Sequence, residues 1–200
     1  STPEKMDQQT SQSIRETLEY ALQHTGKIDD TIRLQFDSFV NYFYNKNEYN
    51  NVWSHKEKWE PLADSLYRFI QNAALSGLFP NDYHFKNFKT LKSTLDTDSL
   101  KRMDANLWKK ADLMLTDAFM HLVKDLKEGR LASDSITVNK AKVEDGFYAE
   151  QLSQLVSTKQ LMPLLDAVQP TFPAYWELKN CVGNFLDSMD KRTYTYVTYP

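Results

Sequence analysis

Residues 98–128 read DSLKRMDANLWKKADLMLTDAFMHLVKDLKE. Leu100, Met103, Leu107, Ala111, Met114, Ala118 and Leu122 recur at helical spacing, and Trp108, Leu115, Phe119, Val123 and Leu126 widen the stripe to a second face. A helix that is apolar on two sides needs cover on two sides. This spacing therefore predicts a long central helix in an all-α, single irregular multi-helix domain. Lys124 and Lys127 suit the negative end of the helix dipole, and Gly129 stops the helix.

Outward from this segment, the same periodicity predicts helices on both sides. Ile14, Leu18, Ala21 and Leu22 share a face over about 12–24, closed by Gly26. Ile32, Phe36, Phe39, Val40 and Phe43 do so over about 29–44, with Asp29 and Asp30 at the positive end of the dipole. Pro61 fits the first turn of a helix over about 60–76 that ends at Gly77, and a short helix is expected over about 84–94. Three more fit about 144–156, 158–168 and 173–190, the last opening at Pro173. Residues 45–53 are Asn-rich and read as a loop. A short extended piece fits Ile136–Val138. The tail from Thr193 to Tyr199 alternates β-formers with period two. The expected organisation is a flexible segment over 1–11, a helical domain over 12–192, and a β-like tail over 193–200 leading toward a following domain.

Composition narrows the function classes. Eleven Tyr, eleven Phe and four Trp in 200 residues supply a real core, and only five Gly and seven Pro leave few turns. The net charge is −3, with Lys and Arg dispersed, so no basic face is written for a nucleic-acid partner. No apolar run approaches the ~20 residues that cross a bilayer. The single cysteine, Cys181, excludes an internal disulfide and leaves the compartment open. The first residue is Ser, so a removed export signal also stays open.

Candidate chemistry is sparse. His24, His55, His84 and His121 share no metal-ligand spacing, and no cofactor is implied. Asp117 and His121 stand four apart on the central helix, either as an acid–base pair or as an ordinary contact between successive turns. Cys181 falls on a stripe with Leu178, Val182 and Phe185 and reads as a small core hydrophobe. Asp112, Thr116 and Asp117 interrupt an otherwise apolar helix. Buried carboxylates are costly unless hydrogen-bonded, so the reading preferred is that one of them accepts from backbone N–H groups at another helix start and holds a loop; half of a carboxylate site is the other. Tyr49 and Trp53, in the Asn-rich loop, either form a binding surface for glycan or peptide or pin the loop to the core, the commoner use.

Four segments in order resemble the N-terminal scaffold domain of large YcbB-type L,D-transpeptidases, which cross-link peptidoglycan. The first runs from Phe43 and Tyr44 through Asn47 and Glu48 to Trp53, with Asn51 where a proline is usual. The second is Gly77-Leu78-Phe79-Pro80-Asn81-Asp82-Tyr83-His84. The third is Leu115-Thr116-Asp117-Ala118-Phe119 followed by Asp125-Leu126 and Gly129-Arg130, with Ala132-Ser133 where a proline often follows. The fourth is Leu164-Leu165, Pro170, Pro173, Tyr175 and Leu178. The family's catalytic Ser-x-Gly-Cys motif is absent, and Asn180-Cys181-Val182-Gly183 does not match it, so no catalytic residue carries over. The resemblance implies a non-catalytic scaffold, a partner catalytic domain in the same parent polypeptide, contact with peptidoglycan, and a periplasmic setting.

Overall fold

The structure is a computed structural model that describes residues 3–130, 146–190 and 192. Helix α1 spans Pro3–Gln23, α2 Asp37–Lys46, α3 Pro61–Gln71, α4 Phe85–Thr97, α5 Ser99–Arg102, α6 Ala105–Glu128, α7 Phe147–Thr158, α8 Leu161–Val168 and α9 Pro173–Ser188. Two-residue strands β1 (Ser54–His55) and β2 (Lys58–Trp59) pair antiparallel, and they form the only sheet among the described residues. The all-α expectation holds.

The central helix is α6. Every residue from Ala111 to Met120 is buried, so this helix is covered all round. Helices α1, α2, α3, α4, α7 and α8 all pack on it. Its start differs from the expectation of one helix from residue 98. Asp104 leaves the helical conformation and accepts the Asn106 N–H at 2.9 Å, while Asp98 does the same for Leu100 and Lys101. Two aspartates that cap so well divide the stretch into α5 and α6. Leu100, placed on the core stripe by its spacing, is instead 80% exposed.

Three further boundaries moved. Helix α1 begins at Pro3 rather than near residue 12, because Met6 and Thr10 reach the core. Residues 27–36 are not helical. Asp29 Oδ1 accepts from the N–H groups of Thr31 and Ile32 and from the Thr31 hydroxyl, a local turn that competes with a helix start. Ile28, Ile32 and Leu34 still reach the core, from an irregular strap. The third expected helix stops at Gln71 and continues as a 3-10 turn over Ala73–Ser76, with Gly77 left-handed at φ 71°.

Cys181 is corrected. It is exposed, as are Leu178 and Phe185, and no residue of α9 is buried. The residues of α9 that are partly covered, Tyr175, Trp176, Lys179, Val182, Gly183 and Leu186, lie on another face. Helix α9 packs on the Ala73–Ser76 turn. The extended piece at Ile136–Val138, the Ala132-Ser133 pair and the tail over 193–200 lie outside the described residues.

Candidate functional site

The polar residues of α6 point in different directions and meet different parts of the chain. Asp112 accepts the backbone N–H of Val52 at 3.0 Å on Oδ1 and of Trp53 at 3.0 Å on Oδ2, and the Tyr44 hydroxyl also donates to Oδ1. One turn on, Thr116 Oγ1 accepts the Trp53 indole N–H at 2.9 Å and lies 2.8 Å from the Tyr44 hydroxyl. These bonds have one consistent direction when Asp112 is ionised. The indole donates to Thr116, Thr116 donates to Tyr44, and Tyr44 donates to the carboxylate. Burial raises the Asp112 carboxyl to about 6, against the pull of the Tyr44, Trp53 and Val52 donors, and it pushes the Tyr44 phenol well above its ordinary value.

Asp117 serves the other side of α6. It accepts the N–H groups of Gln35 at 2.9 Å and Phe36 at 2.7 Å, at the entry to α2, and lies 2.7 Å from His84 Nε2. An ionised carboxylate only accepts, so His84 Nε2 carries a hydrogen here. His84 itself sits at φ 56°, between the 3-10 turn Pro80–Tyr83 and α4. The expected pairing of Asp117 with His121 is therefore replaced. His121 turns the other way along the helix, with Nε2 3.3 Å from Asp125 and Nδ1 3.2 Å from the Asp82 carbonyl. Asp125 also accepts the Tyr83 hydroxyl at 2.8 Å, and burial followed by that bond raises the phenol.

All three carboxylates are almost inaccessible, at 1% for Asp112, 1% for Asp117 and 5% for Asp125. Their oxygens are occupied by donors of their own chain. What the arrangement does chemically is hold segments: Asp112 the loop at 50–53, Asp117 the entry to α2 and the start of α4, Asp125 the turn at 80–83. A cluster of three His, Cys, Asp or Glu able to hold a metal is absent among the described residues.

The remaining motif residues also brace. Pro80 opens its 3-10 turn, and Arg130 lies 2.6 Å from Asp82 with its guanidinium over the Phe79 ring. Gly77 and Gly129 follow their helical segments at positive φ. Pro170 accepts the Trp176 indole N–H at 3.0 Å, and Tyr175 donates to the buried Gln169 at 2.7 Å.

The Asn-rich loop divides between the two readings given to it. Trp53 is 0% exposed and is an anchor, not a contact surface. Tyr49 is half-buried, takes a bond from Asn45 at 3.1 Å and lies under the Arg15 guanidinium. Asn47 and Asn50 each donate to the other's carbonyl, and Asn51, standing where the resembled family has proline, donates to the Ser54 carbonyl. With His55, Glu60 and Lys159 these amides border a polar cleft of 370 Å³. The sequence reading missed His84 as the partner of Asp117, and also the bond from Tyr148 to Glu128 at 2.6 Å; both join residues too far apart in the chain for local spacing to signal.

No curated protein and no solved structure matches the chain. Residues 38–181 match a family described as Scaffold domain, and that span runs from the first turn of α2 to the middle of α9, taking in all three carboxylates, the loop at 50–53 and the turn at 80–83, but not Gln35 and Phe36. With well over half of its length so matched, the chain belongs to the Scaffold domain family.

Proposed function

We propose that this chain is the non-catalytic scaffold of a cell-envelope L,D-transpeptidase, packing against a catalytic domain outside these residues and shaping its access to peptidoglycan. The observation that carries the reading is where the motif residues fall. Tyr44, Trp53, Tyr83, Thr116 and Asp117, which bear the resemblance to YcbB-type enzymes, belong to the bracing network around α6, together with Asp112, which lies outside the resembled segments. A resemblance concentrated on residues that set relative positions, whose Asp117 and His84 are taken up by each other and by backbone N–H groups, fits a part that supports chemistry done elsewhere.

Helix α9 supports the same reading. Leu178, Cys181 and Phe185 recur at helical spacing on its uncovered side, with Leu178 72% and Phe185 64% exposed. An apolar helical stripe of this kind favours cover by another folded surface. In the proposal that surface is the catalytic domain, and the setting is the periplasm.

The test is made on the parent polypeptide. Its reading frame is expected to encode a Ser-x-Gly-Cys segment, and the paired substitution Leu178→Asp with Phe185→Asp is expected to lower cross-linking activity while this domain keeps its own thermal transition. A parent frame without that segment, or full activity in the double variant, contradicts the proposal.

A further inference from the structure

A cleft separate from the bracing network lies between the strap at 27–36, α4 and the start of α6, with a volume of 410 Å³. That is the size at which small-ligand sites begin, about 300–1,000 Å³. Its floor is apolar: Ile32, Leu91, Leu107 and Met114. The hydroxyls of Thr31, Thr90 and Thr94 stand along it, and each already donates its hydrogen, to Asp29, to the Lys86 carbonyl and to the Thr90 carbonyl. Each therefore offers only acceptor capacity to the cleft.

The charged groups are unequally engaged, and Asp104, which also borders the cleft, is taken up as the cap of α6, accepting the Asn106 N–H at 2.9 Å. Lys110 Nζ lies 2.6 Å from Asp29 Oδ2, close enough for an ion pair although away from the best hydrogen-bond direction. Burial works to raise the Asp29 carboxyl, but the Lys110 ammonium and the bonds from Thr31 and Ile32 win and hold it at about 2. Lys110 is thus fixed in place at one wall. Lys101 is exposed, and its ammonium has no hydrogen bond or ion pair among the described residues. The Asn87 side-chain amide is in the same condition, with both donor and acceptor free.

An apolar floor asks for an aliphatic group, free ammonium and amide donors ask for a carboxylate, and a row of hydroxyl acceptors asks for N–H groups. One common ligand carries all three in order. We propose that this cleft binds the carboxy-terminal end of a short peptide whose last residue has a small aliphatic side chain. The carboxylate meets Lys101 and Asn87, the side chain lies over Leu91 and Leu107, and the peptide N–H groups donate to the threonines. This mode is carboxylate capture. It rests on the cleft alone and stands whether or not the envelope reading does. The polar cleft beside Asn47 has no comparable floor, being lined mainly by amides and charged groups.

The test is a titration of the 200-residue chain with N-acetyl-trialanine and with its carboxamide, followed by amide chemical shifts. The free acid is expected to give saturable shifts at Thr31, Asn87, Thr90, Leu107 and Lys110. The carboxamide is expected to bind about tenfold more weakly, the worth of a charge-assisted hydrogen bond. Lys101→Gln, at an exposed lysine with no fold contact to lose, is expected to shrink that difference. No saturable shift, equal binding of acid and amide to the unsubstituted chain, or shifts confined to the Asn47 cleft would each overturn the proposal.

Discussion

Asp112 accepts the backbone N–H of Trp53 at 3.0 Å across fifty-nine residues of chain, and this bond ties the 50–53 loop to the middle of the central helix. The carboxylate fills the place that a paired strand or a cap would fill for those N–H groups.

Removing the carboxylate leaves the Val52 and Trp53 N–H groups and the Tyr44 hydroxyl buried without an acceptor. Each costs about 1–3 kcal/mol, so Asp112→Ala is expected to lose at least about 3 kcal/mol. In a domain of this size that lowers the thermal midpoint by about 6–12 °C. Asp112→Asn keeps one acceptor and the shape, and is expected to lose less than half as much. Calorimetric melts of the two variants at neutral pH check the ranking; equal losses would contradict it.

The same group sets a pH dependence. Its folded carboxyl titrates at about 6 against an ordinary 3.8, so between about pH 4 and pH 6 the folded chain holds a proton that the unfolded chain has released. Stability falls with pH wherever the folded state binds more protons. The contribution of Asp112 is therefore complete below about pH 4 and declines as pH rises to about 6, by about 3 kcal/mol. Urea unfolding at both ends of that window is expected to show this decline in the wild type relative to Asp112→Asn. Parallel curves for the two proteins would show that Asp112 does not titrate there.

Alkali acts through the phenols. Tyr44, Tyr83 and Tyr148 are raised above their ordinary 10.0 by burial and then by the carboxylates they face, Asp112, Asp125 and Glu128. The folded state keeps these protons above pH 10 while the unfolded state loses them, so stability is lost as pH rises past 10. Phenolate absorbance is expected to rise in two stages, a gradual one for the accessible tyrosines and a cooperative one that coincides with loss of helix by circular dichroism. A single gradual titration with helix intact would contradict the buried bonds.

The two aromatics of the Asn-rich loop are expected to separate. Trp53→Ala empties a fully buried site and should cost about 3–5 kcal/mol. Tyr49→Ala removes a half-buried ring at the surface and should cost about 1 kcal/mol. Thermal melts measure both, and a larger loss at Tyr49 would reverse the roles assigned here.

The helices and the centrality of α6 were legible because burial on two faces leaves a periodic stripe from Leu107 to Leu126. The expectation that one of its polar residues takes backbone N–H groups came from cost alone, since a buried Asp must be satisfied by something; both Asp112 and Asp117 do so. Which N–H groups was not legible: the partners of Asp117 are Gln35 and Phe36, more than eighty residues away, and no local spacing reports a contact over that distance. The break at Asp104 was missed because the apolar stripe from Leu100 and Met103 to Leu107 runs past it. Cys181 misled because an apolar stripe reads the same whether the domain itself or another surface covers it. The cleft over Leu91 and Leu107 draws on three separate segments and has no sequence signature.

Native-state hydrogen exchange of four backbone amides tests the bracing account most directly. Gln35, Phe36, Val52 and Trp53 lie outside the helices, yet each donates to a buried carboxylate of α6. They are expected to exchange as slowly as the core of α6, with Asp112→Ala releasing Val52 and Trp53 alone and Asp117→Ala releasing Gln35 and Phe36 alone. Exchange at the rate of open loops in the wild type, or protection untouched by either substitution, would mean that these carboxylates do not hold the segments in place.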